Sequence, residues 1–425
     1  MVVEPSEAAS VKDASEDDIF NIPGVVGVGS SESDTMTRQS EAGQDVVGAD
    51  TVERGGVIVV DVVDESAAEQ VPDQINGVPV VVNITGEIRL MQETAERVTL
   101  QANSQERRAV HRPVVMGVSM ASETGSACTS SYLMEDPETG DVYAVQNFHC
   151  NMGNGQSVGD QILQPGPADG GRAQNTVAEV AGAVDIQPAS EGTNPVDMMW
   201  MRPTEEFSNE VLEVPGNNIV EPPVHEPSVG DEVIKSGRTT GTTTAEVTSV
   251  DHTVRVSGKH LGFEGQDVKF RDQIQTGYMS EGGDSSSALL YDDGDVYRPV
   301  GMLFAGAANN TYHNTASTMV EASGLVFMGS DADQPGATPS ISVSGCEVSS
   351  DGVSVGDEFT VDVVVDLDCD EEADVSVEVL VGGVTAGEEE VTVPPGESRI
   401  ENVGAVAPEE WAVGVGVTAS VEVLN

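Results

Sequence analysis

Basic side chains are scarce in this chain of 425 residues. Only 18 lysines and arginines stand against 73 aspartates and glutamates, which gives a net charge of −55. Such an excess of one sign destabilises a compact fold by self-repulsion unless salt screens it. At about 1 M salt the Debye length is only about 3 Å, which removes most of that repulsion. The composition therefore predicts adaptation to high salt, and it argues against a nucleic-acid partner, because phosphates would be repelled.

Aromatic residues are also few, at 4% of the chain. High net charge with few aromatics is typical of disordered chains as well, but alternating Val/Ile runs persist throughout, so we expect most of the chain to fold. Its cores must then be built largely from Val, Ala, Leu and Met. No apolar run approaches the roughly 20 residues of a membrane span, so no span is expected. The 46 glycines and 21 prolines favour a turn-rich β protein.

Cysteine occurs four times, and no pair has the CxxC spacing of a zinc site, so no metal or other cofactor is predicted. Cys128 and Cys150 form one sequence-local pair and Cys346 and Cys369 another, as structural disulfides would. Disulfides favour an extracellular or cell-surface location. The N-terminal sequence MVVEPSEAASVKDASEDD shows neither the basic nor the apolar region of a secretory signal, which favours the cytoplasm. Both locations stay open.

Composition and glycine/proline punctuation divide the chain into six parts. We predict a disordered acidic tail (1–18), a small β-rich N-terminal domain (19–93), a basic connector (94–112), a long section of strands and hairpins (113–330), a linker (331–338) and an antiparallel β-sandwich (339–425).

The connector 94–112 is predicted to be exposed and is rich in arginine: Arg97, Arg107, Arg108 and Arg112. It is either a processing point that releases an inhibitory N-terminal domain or an ordinary interdomain linker.

The motif GGDSSSALL at 282–290 carries the sharpest chemistry. Ser285 follows Gly-Asp on a tight turn before an apolar strand, which can expose its hydroxyl. The same turn can point the amides of Gly283 and Ser285 at one spot, as an oxyanion hole requires.

A serine hydroxyl needs a base before it can act as a nucleophile. Among six histidines, only His149 follows an apolar strand (DVYAVQNF) and abuts a cysteine. An acid must then orient the imidazole, and Asp197 in NPVDMMWMRP lies at the start of an apolar strand. The chain order is His, Asp, Ser.

These motifs give the section 113–325 a resemblance to the chymotrypsin/trypsin superfamily, through NFHC, NPVDMMW, GGDSSS and VGMLFAG in that order. More closely, GVSM, VYAVQNFHC, SVGDQILQPGPADGG and NPVD resemble a trypsin-like subfamily of bacteria and plant leaf-width regulators. IPGVVGVG, INGVPVVV and TGEI are similar to its N-terminal region. The resemblance implies a two-barrel chymotrypsin-like peptidase domain with a small N-terminal β-rich domain. With the C-terminal β-sandwich predicted from strand alternation, the whole chain is expected to be mainly β.

The resemblance also implies residue roles. His149 would be general base and acid, Asp197 its orienting partner and Ser285 the nucleophile, with the amides of Gly283 and Ser285 as the oxyanion hole. Cys128 and Cys150 resemble the pair that bridges beside the histidine, and Cys369 could pair with Cys346. One departure is Ser286, which stands where the superfamily usually has glycine.

For the specificity pocket, the resemblance implies Met279 at the floor and a wall strand of Phe304, Ala305 and Gly306. No carboxylate stands at the floor position, so a preference for Lys or Arg is not expected. We predict a small or medium-sized apolar side chain before the cleaved bond.

Two functions follow. The first is a serine endopeptidase that hydrolyses protein or peptide substrates through an acyl-enzyme; the complete set of three residues favours it. The alternative is a non-catalytic binding or scaffold protein on a peptidase-like fold, with the N-terminal domain blocking the cleft. The C-terminal part resembles adhesion-type β-sandwich modules of archaeal surface proteins through VPPGES at 393–398, which suggests a surface or self partner.

Overall fold

The computed structural model describes residues 3–32, 46–47, 55–91, 104–123 and 127–329, and the course of six strands beyond residue 339. The chain forms two compact units, Met1–Ser330 and Asp331–Asn425. The first unit contains both the predicted N-terminal domain and the predicted peptidase section. Within the described residues, none of the helices has the length and apolar character needed to cross a membrane. The predicted linker 331–338 lies outside the described residues.

The N-terminal segment, residues 3–91, is built on valine-rich strands, as its alternating sequence predicts. Its elements are α1 (Pro5–Phe20), β1 (Val25–Glu32), β2 (Val46–Val47), β3 (Gly56–Val62), α2 (Glu65–Ala68), β4 (Gln74–Ile75), β5 (Val78–Ile84) and β6 (Arg89–Leu90). β3 is buried along its whole length, between β1 on its antiparallel side and β5 on its parallel side. Its nearly continuous apolar sequence suits a strand that is covered on both faces.

α1 shows that the expectation of a disordered acidic tail at 1–18 is wrong. Ile19 and Phe20 are buried. Lys12, also buried, donates to the carbonyl of Asp251 at 2.9 Å and lies 3.5 Å from its carboxylate. Most acids of this helix lie on its solvent-facing side. The composition could not reveal this fold, because the apolar face of α1 packs on the valines of β1, β3 and β5, and Lys12 reaches a residue more than 200 positions away in the sequence.

The next part of the first unit forms one antiparallel sheet. Its elements are α3 (Ser104–Arg107), β7 (Val114–Met116), β8 (Ala121–Ser122), β9 (Leu133–Glu135), β10 (Val142–Gln146), β11 (Gln161–Leu163), β12 (Thr176–Ala183), β13 (Met199–Pro203) and β14 (Phe207–Val211). Strands β8 to β13 follow the spatial order β9-β10-β13-β12-β11-β8, while β7 and β14 pair separately.

The last part of this unit is a closed barrel. Its elements are β15 (Glu232–Gly237), β16 (Gly241–Ser257), β17 (Asp267–Gly277), β18 (Ala288–Asp292), β19 (Tyr297–Gly306), β20 (Asn310–Thr315), α4 (Ala316–Ser323) and β21 (Val326–Phe327). Six antiparallel strands run in the order β15-β18-β19-β20-β17-β16, and β16 returns to β15. β21 pairs back with β9 of the first sheet.

The N-terminal segment is joined to this barrel by main-chain pairing. β1 pairs with β16, with Gly27 opposite Val254, and β6 pairs with β19. The N-terminal segment is therefore an extension of the barrel sheet rather than a separate globule.

The composition of the core agrees with the prediction that, with few aromatic residues, it is built largely from Val, Ala, Leu and Met. The largest cluster in the described part of the chain contains five buried methionines, Met116, Met134, Met198, Met302 and Met319, alongside valines and leucines. Methionine is flexible and fills irregular gaps, which suits it to a core with few rings.

The expectation that the arginines of the connector 94–112 are exposed is wrong for two of them. Arg107 is fully buried and donates to Gly117, Ser236, Leu212, Glu213 and Thr242. Arg108 is largely buried beside Asp169, whereas Arg112 is exposed. The two terminal nitrogens of the Arg107 guanidinium satisfy acceptors that meet only in the fold. Arg97 lies outside the described residues.

In the second unit, the part of the chain that the structure describes forms six strands: β22 (Ser340–Val348), β23 (Glu358–Asp368), β24 (Ala373–Val381), β25 (Val384–Val393), β26 (Gly396–Val406) and β27 (Val417–Val423). They form two three-stranded antiparallel sheets, β22-β23-β26 and β25-β24-β27. Two such sheets are what a sandwich at 339–425 requires. The predicted pairing of Cys346 with Cys369 lies outside the described residues.

Candidate active site

The three predicted catalytic side chains meet between the first sheet and the closed barrel. His149 Nδ1 lies 2.5 Å from Asp197 Oδ2, and His149 Nε2 lies 2.8 Å from Ser285 Oγ. The backbone N–H of His149 also donates to Asp197 Oδ1 at 3.1 Å. All three side chains are fully buried. The imidazole thus bridges a carboxylate and a hydroxyl, an arrangement that lets it take a proton from the hydroxyl while the carboxylate stabilises the resulting cation.

Strand register explains why residues distant in the sequence meet. His149 lies in a 3₁₀ turn, Phe148–Cys150, directly after β10, and Asp197 lies just before β13. β10 and β13 are antiparallel neighbours with Gln146 opposite Met199, so the end of one strand lies beside the start of the other. Ser285 precedes β18 in the closed barrel, and its carbonyl accepts from the Thr129 amide at 2.9 Å.

Two asparagines that the sequence analysis missed hold Asp197 in place. Asn314 Oδ1 accepts from the Asp197 amide at 3.0 Å, and Asn147 Nδ2 donates to the Asp197 carbonyl at 2.9 Å. Asn147 stands two residues before His149, so the histidine motif itself could have pointed to it. Asn314 lies in β20, and only the fold brings it to Asp197.

The turn that carries Ser285 is held by a buried carboxylate, Asp284. It accepts from the amides of Thr239, Thr240 and Glu281 at 2.8, 3.2 and 3.0 Å. Lys235 Nζ lies 3.5 Å from it, also fully buried. Burial lowers the pKa of Lys235, although the charge of Asp284 opposes that shift. Because these four groups converge on one carboxylate, the turn has little freedom to reorient Ser285.

Ser286, which stands where the superfamily usually has glycine, has φ +73°. A side chain in this left-handed region costs roughly 1–2 kcal/mol. Two hydrogen bonds with Asn147 oppose that cost: Ser286 Oγ accepts from the Asn147 amide at 2.9 Å and donates to its side-chain oxygen at 3.1 Å.

Cys128 and Cys150 form a disulfide beside His149. The pairing that the resemblance implied is therefore present.

The predicted pocket residues lie on two neighbouring parts of the barrel. Met279 is buried among Val233, Ile274 and Leu289. The ring of Phe304 packs on Phe270, with centroids 5.2 Å apart. Phe304 therefore contributes its backbone to the cleft, while its side chain belongs to the core.

His313 lies behind Met279 and was not singled out by the sequence. Its Nε2 is 3.0 Å from Thr276 Oγ1, and that hydroxyl is 3.4 Å from the sulfur of Met279. Burial lowers the pKa of His313 to about 3. This region of the barrel therefore presents a neutral imidazole at ordinary pH.

The end of the N-terminal segment lies in the cleft beside Ser285. Leu90 pairs with Ala305 and Arg89 with Gly306. One residue on, the Met91 amide donates to the Phe304 carbonyl at 2.9 Å, and the Gly283 amide donates to the Met91 carbonyl at 2.7 Å. A strand of the chain itself thus occupies the groove next to the three clustered side chains.

No known family model matches this chain, and no curated protein does. Among solved structures, Protease A of Thermobifida fusca covers 50% of this chain and 97% of its own at 19% identity, with a TM-score of 0.36. A Nocardiopsis protease covers 50% and 98% at 18% identity, also with a TM-score of 0.36. A glutamic acid specific serine protease, described as using a histidine triad in substrate binding, covers 50% and 100% at 22% identity and the same TM-score.

The closed six-stranded barrel, the second antiparallel sheet and the cleft between them agree with the predicted architecture. The mainly β fold predicted from the sequence is therefore confirmed. The matches cover half of this chain.

Gly283 offers a direct test of how tightly the chymotrypsin-like turn is packed. It has φ +99°, and a Cβ there would overlap Thr239 Oγ1 and lie 2.8 Å from Arg238 Nη1. We expect Gly283→Ala to lower the free energy of unfolding by more than the roughly 1–2 kcal/mol of the backbone term alone, measured by denaturant unfolding in molar salt. Gly294→Ala is the matched control, because Gly294 has φ +95° with nothing within 4 Å of its Cβ position. Equal losses in the two variants would show that the turn has room to spare.

Proposed function

We propose that this chain is a serine endopeptidase that hydrolyses peptide bonds through an acyl-enzyme, with His149, Asp197 and Ser285 as its catalytic residues. The observation that carries the proposal is the pair of hydrogen bonds from one imidazole, 2.5 Å to a carboxylate and 2.8 Å to a hydroxyl. A buried carboxylate so placed holds the imidazole in the tautomer that faces the hydroxyl and stabilises the imidazolium that forms.

The reaction follows from these contacts. His149 Nε2 takes the proton of Ser285 as Oγ attacks the substrate carbonyl, and Asp197 stabilises the imidazolium. The amides of Gly283 and Ser285 receive the oxyanion, and fixed donors of this kind are worth about 3–4 kcal/mol each in the transition state. The imidazolium then gives its proton to the leaving amine, and water repeats the sequence on the ester.

A preference for a small or medium-sized apolar residue before the cleaved bond is part of the proposal. Gly306 leaves space on the wall strand, and Met279 with the neutral His313 supplies no charge to pair with Lys, Arg or an acid. A charged side chain would lose its hydration there without gaining a partner.

A fluorophosphonate, which modifies only an activated serine, tests the proposal. Because Met91 lies in the cleft, the full-length variant Met91→Pro is the right protein: proline cannot donate to Phe304, so the segment should leave the groove. We expect one label per chain, at Ser285, in molar salt. The double variant Met91→Pro/Ser285→Ala should take none, while Met91→Pro/Ser66→Ala, altered at an exposed serine, should label normally.

Folded Met91→Pro protein that takes no label would overturn the peptidase proposal. It would favour the scaffold alternative, in which the cleft serves only to hold the N-terminal segment.

A further inference from the structure

The strand that lies on β19 is held as a substrate would be held. Both backbone groups of Met91 are fixed: its N–H by the Phe304 carbonyl at 2.9 Å, and its carbonyl by the Gly283 amide at 2.7 Å. The preceding residues continue the antiparallel pairing, Leu90 with Ala305 and Arg89 with Gly306. An extended strand added to a sheet edge is a common way to bind a peptide, with the main chain giving affinity and alternate side chains specificity.

We propose that the Met91–Gln92 peptide bond is a substrate of this chain's own active site, so that the protein cleaves itself there. We further infer that methionine, or another apolar residue that is not branched at Cβ, is the residue this pocket accepts before the cleaved bond. The proposal rests on the proposed function, since it needs Ser285 to be a nucleophile.

The position of the Met91 carbonyl is the first argument. Its oxygen sits 2.7 Å from the amide of Gly283, two residues before Ser285, within the 2.7–3.1 Å range at which a donor stabilises an oxyanion. An inhibitory segment that merely covered the cleft would not need its carbonyl to accept a hydrogen bond from that amide. The carbonyl that accepts from the Gly283 amide belongs to Met91, the residue directly after the paired strand β6.

The burial of Ser285 is the second argument. Its side chain has no exposed surface in the full chain, and neither does His149. Residues 89–91 of the same chain therefore reach Ser285 before any other polypeptide can reach it. Holding both reacting groups in one molecule gives them an effective concentration far above that of a separate substrate.

The side chain of Met91 is the third argument. Its terminal methyl group, Cε, lies where a Cβ on residue 306 would be, so the glycine of the wall strand makes the room that methionine uses. Methionine is unbranched and flexible, which allows it to fill such a narrow space.

The chemical step balances without any added group. Ser285 Oγ bonds to the Met91 carbonyl carbon while its proton passes to His149 Nε2. The bond from that carbon to the Gln92 nitrogen breaks, and His149 returns the proton to the new amine. Water then cleaves the ester with the same base, which leaves a carboxylate on Met91 and restores the Ser285 hydroxyl.

Met91 is a different processing point from the one considered for the connector 94–112. Arg107 is enclosed by five acceptor residues and is inaccessible to a peptidase. After a cut at Met91, moreover, the N-terminal fragment would remain attached through the pairing of β1 with β16. The expected product is a nicked protein whose two fragments stay together under native conditions.

Intact-mass measurement of the purified full chain in molar salt tests the proposal. We expect two fragments, 1–91 and 92–425, that separate only on denaturation, and an intact Ser285→Ala variant. Because the reaction is intramolecular, its rate should not change over a 100-fold dilution. A rate that falls in proportion to dilution would overturn cleavage within one chain.

The Met91 side chain is tested by a matched pair of variants. Met91→Leu should cleave within about tenfold of the wild-type rate, whereas Met91→Asp should be at least about 100-fold slower, because a carboxylate would be buried without a partner. The Met91→Pro variant should hydrolyse a synthetic peptide of residues 86–95 after methionine, and should leave the same peptide with aspartate at that position intact. Equal rates for the Leu and Asp variants would overturn the assigned preference.

The two proposals fail in different ways. If Met91→Pro takes the fluorophosphonate at Ser285 but wild-type chain stays uncut at residue 91 and the peptide is not cleaved, self-cleavage is wrong while the peptidase stands. If Met91→Pro takes no label and hydrolyses no peptide, the peptidase proposal itself is wrong.

Discussion

Replacing Asp197 by asparagine is expected to lower kcat about 10⁴-fold while leaving the fold intact. Asparagine has the same shape, but its amide cannot stabilise an imidazolium and favours the wrong tautomer of His149. The loss should be large because Asp197 makes both of its carboxylate contacts to His149, at 2.5 Å to the ring and 3.1 Å to the backbone. Single-turnover hydrolysis of the 86–95 peptide in the Met91→Pro background would measure it.

The control for this variant is Asp185→Asn, which removes the same charge from an exposed position in the same region. It should leave kcat unchanged within about twofold. A kcat for Asp197→Asn close to that of the parent would contradict the role proposed for this carboxylate, provided the unfolding midpoints of the two variants agree.

The largest effect on stability is expected from Lys235→Met. Its ammonium group is fully buried, donates to Thr240 Oγ1 and to the Gly241 carbonyl at 3.0 Å, and lies 3.5 Å from Asp284. Removing one partner of a buried ion pair typically costs about 3–5 kcal/mol, because the remaining charge is left uncompensated. We expect a loss of that size in the free energy of unfolding, measured by denaturant titration in molar salt.

Lys259→Met is the matched control, since Lys259 is exposed and should cost less than about 0.5 kcal/mol. The double variant Lys235→Met/Asp284→Asn should recover part of the loss, because it also removes the carboxylate charge that the single variant leaves without a partner. A Lys235→Met protein as stable as the control would show that the amides around Asp284 alone are sufficient to hold the turn.

The sequence predicted those parts of the protein that depend on neighbouring residues. Val-rich alternation indicated the strands, and Ser285, His149 and Asp197 were found because each stands in a short motif beside an apolar strand. The mainly β fold followed from the strand alternation and these motifs, and it is what the structure has. The Cys128–Cys150 pairing followed in the same way.

What the sequence could not predict depends on contacts between distant residues. Lys12, on the buried face of α1, pairs with Asp251, and Asn314 reaches Asp197 only through the barrel register. Asp284 is one of 73 acids, and its burial has no local marker beyond its place before Ser285. The docking of Met91 in the cleft was invisible for the same reason: nothing in IRLMQET distinguishes a strand that pairs with β19 from an ordinary exposed one.

The pairing of β1 with β16 also has a consequence during synthesis. Gly27 finds its partner, Val254, only after more than 200 further residues have been made. At about 5–20 residues per second on a ribosome, the edge of β1 waits on the order of ten seconds or more for its neighbour. Distant pairings of this kind also make folding slow. The newly made valine-rich strands therefore need protection from other chains during that interval, and the acidic side chains of α1 next to them would supply it by charge repulsion.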